Sequence, residues 1–100
     1  PKLVREGYRG PIYATHTTQK IAEIVLLDAA KIQLEDYERA LRKAQRNGRE
    51  KKVTPPLFTD KDVVQTVSLF KTVDFAKPLQ LGDVTVTYTP AGHILGSGFI

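Results

Sequence analysis

Apolar residues crowd together at Ile21, Ala22, Ile24, Val25, Leu26, Leu27, Ala29 and Ala30, with few polar interruptions. A helix over about 19–33 would therefore be apolar around much of its circumference, and such helices are covered on more than one side inside a layered domain. Thr17 or Thr18 stands where a hydroxyl can cap the first turn. Asp28 lies inside the apolar stretch and would need a partner if buried. From Leu34 the pattern narrows to Leu34, Tyr37, Leu41 and Ala44, a single stripe on an otherwise charged helix. That spacing predicts a second helical segment, on the surface or projecting from it, within the charged stretch Leu34 to Lys52 and ended by Asn47-Gly48.

On either side of these helices the pattern becomes that of strands and turns. Ile12-Tyr13-Ala14 follows Gly10-Pro11 and reads as a short strand. Thr54-Pro55-Pro56 is a connector, after which Thr59 and Asp62 have the spacing of a capping box before Val63, Val64, Val67 and Leu69. Thr72 to Phe75 is a strand candidate, and Leu81-Gly82-Asp83 a turn. Residues 83–89 alternate strictly and are rich in β-branched side chains, the clearest strand pattern in the chain. Strand, helices and then strands predict an α/β (α+β layer) fold with helices packed on a mixed sheet.

Composition narrows the chemistry. With 100 residues, the chain has room for one domain. It contains no Cys, so a disulfide framework, a thiolate metal site and a cysteine nucleophile are all excluded here. No apolar run approaches the roughly 18 residues of a membrane-spanning helix, so no membrane partner is expected. The lack of Cys also fits a cytoplasmic protein. There is no Met, even at position 1, and the sequence reads as a piece cut from a longer protein.

Charge is lopsided. Residues 1–52 hold 12 Lys and Arg against 7 Asp and Glu, whereas residues 53–100 hold 3 against 4. The excess gathers at Arg39, Arg42, Lys43, Arg46, Arg49, Lys51 and Lys52. This block could meet a nucleic-acid backbone, through Arg39, Arg42, Lys43 and Arg46 above all, or it could be a solvated helix face. Glu35 and Glu38 stand one turn before Arg39 and Arg42 and neutralise part of it. No aromatic residue interleaves with the basic ones, so a base-stacking platform is unsupported.

Candidate chemistry concentrates in the segment Thr89-Pro90-Ala91-Gly92-His93-Ile94-Leu95-Gly96-Ser97-Gly98. A histidine in a glycine-rich turn just past a strand is held by rigid scaffold yet free to project beyond it. A lone histidine is either a hydrogen-bonded structural residue or a metal ligand, and a tight zinc site needs three or four ligands. The other histidine, His16, sits at a strand–helix join and reads as a turn or capping residue.

Residues 1–15, from Pro1-Lys2-Leu3-Val4-Arg5-Glu6-Gly7 to Tyr13-Ala14-Thr15, closely resemble a stretch of the metallo-β-lactamase-fold ribonucleases of the β-CASP group. The likeness continues through Thr15-His16-Thr17-Thr18, Leu26-Leu27-Asp28-Ala29-Ala30-Lys31 and Pro56-Leu57-Phe58-Thr59. It ends in Ala91-Gly92-His93-Ile94-Leu95-Gly96-Ser97, which is similar to the family's third metal-binding motif. The resemblance implies a partial αβ/βα sandwich in which His93 is one ligand to one of two zinc ions, and an RNA phosphodiester as the bond hydrolysed. It also implies that residues 1–100 lie between a His-x-His-x-Asp-His loop before Pro1 and the later metal motifs after Ile100. The isolated piece would then be inactive, with an open sheet edge through which it could self-associate. It assigns no ligand role to His16 and no catalytic acid or base to any position. Two other readings stay open: a small basic nucleic-acid-binding module, and a hydrolase of the same fold with another substrate.

Overall fold

A computed structural model describes residues 1–48 and 53–100. The chain runs through α1 (Lys2–Arg5), β1 (Ile12–Thr15), α2 (His16–Arg46), α3 (Asp60–Ser68), β2 (Phe70–Val73), β3 (Leu79–Leu81), β4 (Val84–Val86), β5 (Thr89–Pro90) and β6 (Gly98–Phe99). The mix of helices and short sheets is the expected α+β class.

β1 and β2 pair in parallel, Ile12 opposite Phe70 and Thr15 opposite Val73. Parallel neighbours need a long crossover, and α2 and α3 supply it. α3 packs on α2 and on α1. Where these elements meet lie the buried apolar residues Val4, Ala14, Ala30 and Val63, the last with no exposed surface. Thr15 and Thr66 are the buried polar residues among those described. The Thr66 hydroxyl donates to the Asp62 carbonyl at 2.6 Å, back-bonding within its own helix.

α2 departs from the expected pair of segments. It is one continuous helix of 31 residues, about 46 Å long at 1.5 Å per residue. Nothing at Gln33-Leu34-Glu35 breaks it, since all three are good helix formers. Its length dominates the outline, 57 × 28 × 18 Å, and gives a radius of gyration of 18.0 Å where a compact chain of this size has about 13 Å. The helix stops where expected: Asn47 is the C-cap and Gly48 takes φ +64°. Arg49, Glu50, Lys51 and Lys52, the tail of the basic block, lie outside the described residues.

Coverage of α2 also differs from expectation. Ala22, Leu26, Ala29, Ala30, Gln33, Tyr37, Leu41 and Ala44, all partly or fully buried, follow a single stripe at helical spacing. Ile24 and Val25 are 69% and 58% exposed, so the helix is covered on one side, not all round. Asp28 is exposed and needs no buried partner. The connector is fastened to the stripe by Gln33, whose Oε1 accepts from the Leu57 N–H at 3.0 Å. The Arg5 guanidinium donates to the carbonyls of Pro56 and Leu57 from the other side.

The C-terminal half forms two further antiparallel pairs instead of joining one mixed sheet. β3 and β4 make a hairpin closed by Gly82-Asp83, with Leu81 opposite Val84 and Gly82 at φ +59°. The alternating run 83–89 does not stay one strand: pairing stops after Val86 and resumes at Thr89. At the break the Tyr88 carbonyl accepts from the Ala76 N–H at 2.9 Å, and the Tyr88 hydroxyl donates to the Tyr13 carbonyl at 3.3 Å. Tyr88 thus fastens this half of the chain to β1. β2 also begins two residues earlier than the sequence pattern suggests, directly after Leu69 caps α3.

Candidate functional site

β5 and β6 pair antiparallel, Thr89 opposite Phe99 and Pro90 opposite Gly98, and close residues 91–97 into a loop that carries His93. Ser97 organises it. The Ser97 hydroxyl oxygen accepts from the backbone N–H groups of His93 and Ile94, both at 3.2 Å. Its own N–H donates to the Ile94 carbonyl and its carbonyl accepts from the Ala91 N–H, each at 3.0 Å. Gly92 at φ +67° turns the chain into His93, and Gly96 at φ +82° turns it out again. The main chain of His93 is therefore fixed, while the residue is exposed to solvent.

The loop is anchored where β1 becomes α2. The Gly96 carbonyl oxygen lies 2.8 Å from the Thr15 hydroxyl and 3.1 Å from that of Thr18, and the two hydroxyls are 2.9 Å apart. Thr15 Oγ1 also accepts the Thr18 N–H at 3.2 Å, so Thr15 is the N-cap of α2. The expected caps, Thr17 and Thr18, fall inside the helix because the turn starts two residues earlier. Gly96 sits against this corner so closely that a Cβ there would come within 2.6 Å of Thr17 Cβ.

His16 is the first residue of α2 and is exposed. Among the described residues no three His, Asp or Glu side chains come together as a metal-holding group. The donor chemistry of His93, an accessible imidazole on a fixed main chain, fits one coordination position and does not make a centre by itself.

The basic residues Arg39, Arg42, Lys43 and Arg46 lie on the last turns of α2, exposed to solvent. Arg39 pairs with Asp36 at 3.7 Å, not with Glu35 as its spacing suggested, and Arg42 pairs with Glu38 at 3.9 Å. Both pairs are exposed and so hold their partners weakly. Arg39 to Arg46 sit at the opposite end of α2 from Thr15, the residue that meets the His93 loop.

The sequence pattern singles out His93 and misses Thr15, Thr18 and Ser97 as its supports. A hydroxyl four positions after the histidine is visible in the sequence. The tertiary approach of Gly96 to the start of α2 is not.

No family model matches the chain. Its whole length aligns with Ribonuclease TTHA0252 of Thermus thermophilus at 35% identity, covering 19% of that protein. The chain is similar along its whole length to a segment of that ribonuclease. The transcription termination factor FttA of Cenarchaeum symbiosum matches at 32% over 97% of the chain and 13% of its own length. The endoribonuclease YSH1 of Gibberella zeae matches at 23% over 95% of the chain and 10% of its own length. The segment thus spans at most about a fifth of these relatives. His93, Gly96 and Ser97 lie within the part of this chain that aligns with the Thermus protein.

Proposed function

We propose that this chain is part of a zinc-dependent ribonuclease of the β-CASP group that hydrolyses RNA phosphodiesters, exo- or endonucleolytically, in RNA processing or decay. His93 supplies one metal ligand, and the other ligands come from residues outside this sequence. The observation that carries the reading is the 91–97 loop: an exposed imidazole on a main chain fixed by Ser97, in a segment aligned along its whole length with a ribonuclease. Bound zinc would polarise water and phosphate for hydrolysis. What these residues do is narrower: Ser97 and the two glycines set where the imidazole stands, and the β5–β6 pair keeps the loop closed.

RNA is the substrate in this reading, and the basic end of α2, from Arg39 to Arg46, is its second contact. The absence of Cys supports a cytoplasmic protein. No described helix is long and apolar enough to cross a membrane. Two-stranded sheets with open edges favour self-association of the isolated segment. The test is cleavage of a labelled RNA by the full-length protein and its His93→Ala variant, with metal content measured on both. Loss of cleavage in a folded variant supports the reading; unaltered cleavage overturns it.

A further inference from the structure

We infer that Thr15 and Thr18 are positioning residues for His93, acting through the carbonyl of Gly96. The inference rests on His93 being functional, as proposed above, and adds the residues that hold it in place.

Thr15 Oγ1, Thr18 Oγ1 and Gly96 O form a triangle with sides of 2.8, 2.9 and 3.1 Å. Each hydroxyl has one proton to give. The two protons cannot both lie between the two hydroxyl oxygens. When both are used within the triangle, at least one therefore reaches the Gly96 carbonyl. The anchor is redundant, and removing one hydroxyl leaves the other able to donate.

The anchor lies on a stiff frame. Thr15 is 6% exposed, ends the parallel strand β1 and caps α2 with the same oxygen that meets Gly96. One buried hydroxyl thus joins a strand end, a helix start and the loop 81 positions away. From Gly96 the restraint passes to its neighbour Ser97, whose oxygen holds the backbone N–H groups of His93 and Ile94. Close packing reinforces it, because only a residue without Cβ fits at position 96 against Thr17. A loop held solely by its own hydrogen bonds could shift as a body; this one is referenced to the helix. Such displacements matter at a site, where groups supporting a ligand typically change affinity or activity by about 10–100-fold when lost.

The experiment uses the full-length protein and separates the anchor from the helix cap. Thr15→Asp/Thr18→Val keeps a capping oxygen on α2 but leaves no hydroxyl to donate to Gly96. Thr15→Ser/Thr18→Ser keeps both donors and serves as the rescue. Amide exchange at His93, Ile94 and Ser97 reads the loop directly, and kcat and KM for a labelled RNA read the site. The inference expects faster exchange and a kcat lower by about 10–100-fold with KM little changed in the first variant, and wild-type behaviour in the second. Unchanged exchange in the first variant overturns the anchor. Faster exchange with unchanged kcat overturns the positioning role. Loss of activity in the serine variant also counts against it, since the donors are still present. If His93→Ala keeps full activity, the functional reading fails instead, and the exchange arm still decides the anchor.

Discussion

The hydroxyl of Thr15 lies 2.8 Å from the carbonyl oxygen of Gly96, although 81 positions separate them in the chain. That contact joins the corner where β1 turns into α2 to the loop that carries His93. It makes Gly96 the position where backbone conformation and packing coincide.

Gly96→Ala is expected to destabilise the protein more than Gly92→Ala. Both glycines have positive φ, +82° and +67°, which costs an alanine about 1–2 kcal/mol. Only at Gly96 does the added Cβ also meet neighbours, Thr17 Cβ at 2.6 Å and Thr15 Oγ1 at 3.1 Å, whereas at Gly92 nothing lies within 4 Å. Urea or thermal unfolding of the two variants gives the comparison. Equal losses would mean that Gly96 is not packed against the corner.

The core between α1, α2 and α3 makes a second prediction. Val63 has no exposed surface, while its neighbour Val64 is 65% exposed. Val63→Ala is expected to cost about 2 kcal/mol through lost burial and the cavity left behind. Val64→Ala should stay within about 0.5 kcal/mol of wild type, as surface changes do. Chemical denaturation of both variants checks the pair, and similar losses would contradict the packing described.

Acid should release the cap of α3. The Asp62 carboxylate accepts the Thr59 N–H at 2.8 Å and the Thr59 hydroxyl at 3.0 Å. The Thr59 backbone bond is the largest influence on it and holds its pKa below the usual carboxylate value, with the hydroxyl and Arg5 acting in the same direction against partial desolvation. A carboxyl whose folded pKa is depressed stabilises above its unfolded pKa, about 3.9, and that contribution disappears as pH falls through the lower folded value. Wild type should therefore exceed Asp62→Ala in stability near neutrality, and the two should converge below about pH 4. A gap that persists undiminished in acid would assign the effect to something other than the charge.

The basic end of α2 gives a prediction in salt. If Arg42, Lys43 and Arg46 meet RNA phosphates, changing all three to Ala in the full-length protein should flatten the plot of log affinity against log salt by about 2 units, at about 0.7 per single-strand phosphate contact. An unchanged slope would leave this end of the helix as a solvated surface.

Local signals are readable from the sequence where short-range chemistry decides the outcome. The Thr59–Asp62 cap, the Gly82-Asp83 turn and the Asn47-Gly48 stop all appear as expected, because each depends on residues within a few positions of one another. Long-range relationships are not. The alternation of residues 83–89 predicts one strand, but a tertiary contact of Tyr88 with Tyr13 interrupts it. The apolar run in α2 suggests burial all round, yet Ile24 and Val25 face solvent, since apolarity marks what can be covered and not what covers it. His93 is legible through its glycine-rich setting and its family resemblance. Thr15 and Thr18 are not legible as its supports, because hydroxyls at a strand–helix junction look like caps until the far loop is placed beside them.

The central claim is that His93 is a working residue of a ribonuclease site. Its most direct test is the rate of RNA hydrolysis by the full-length protein compared with His93→Ala, with circular dichroism confirming that the variant is folded. The expected result is loss of cleavage with the fold intact and less bound metal. A folded His93→Ala protein that cleaves RNA at the wild-type rate and binds metal as before would contradict it.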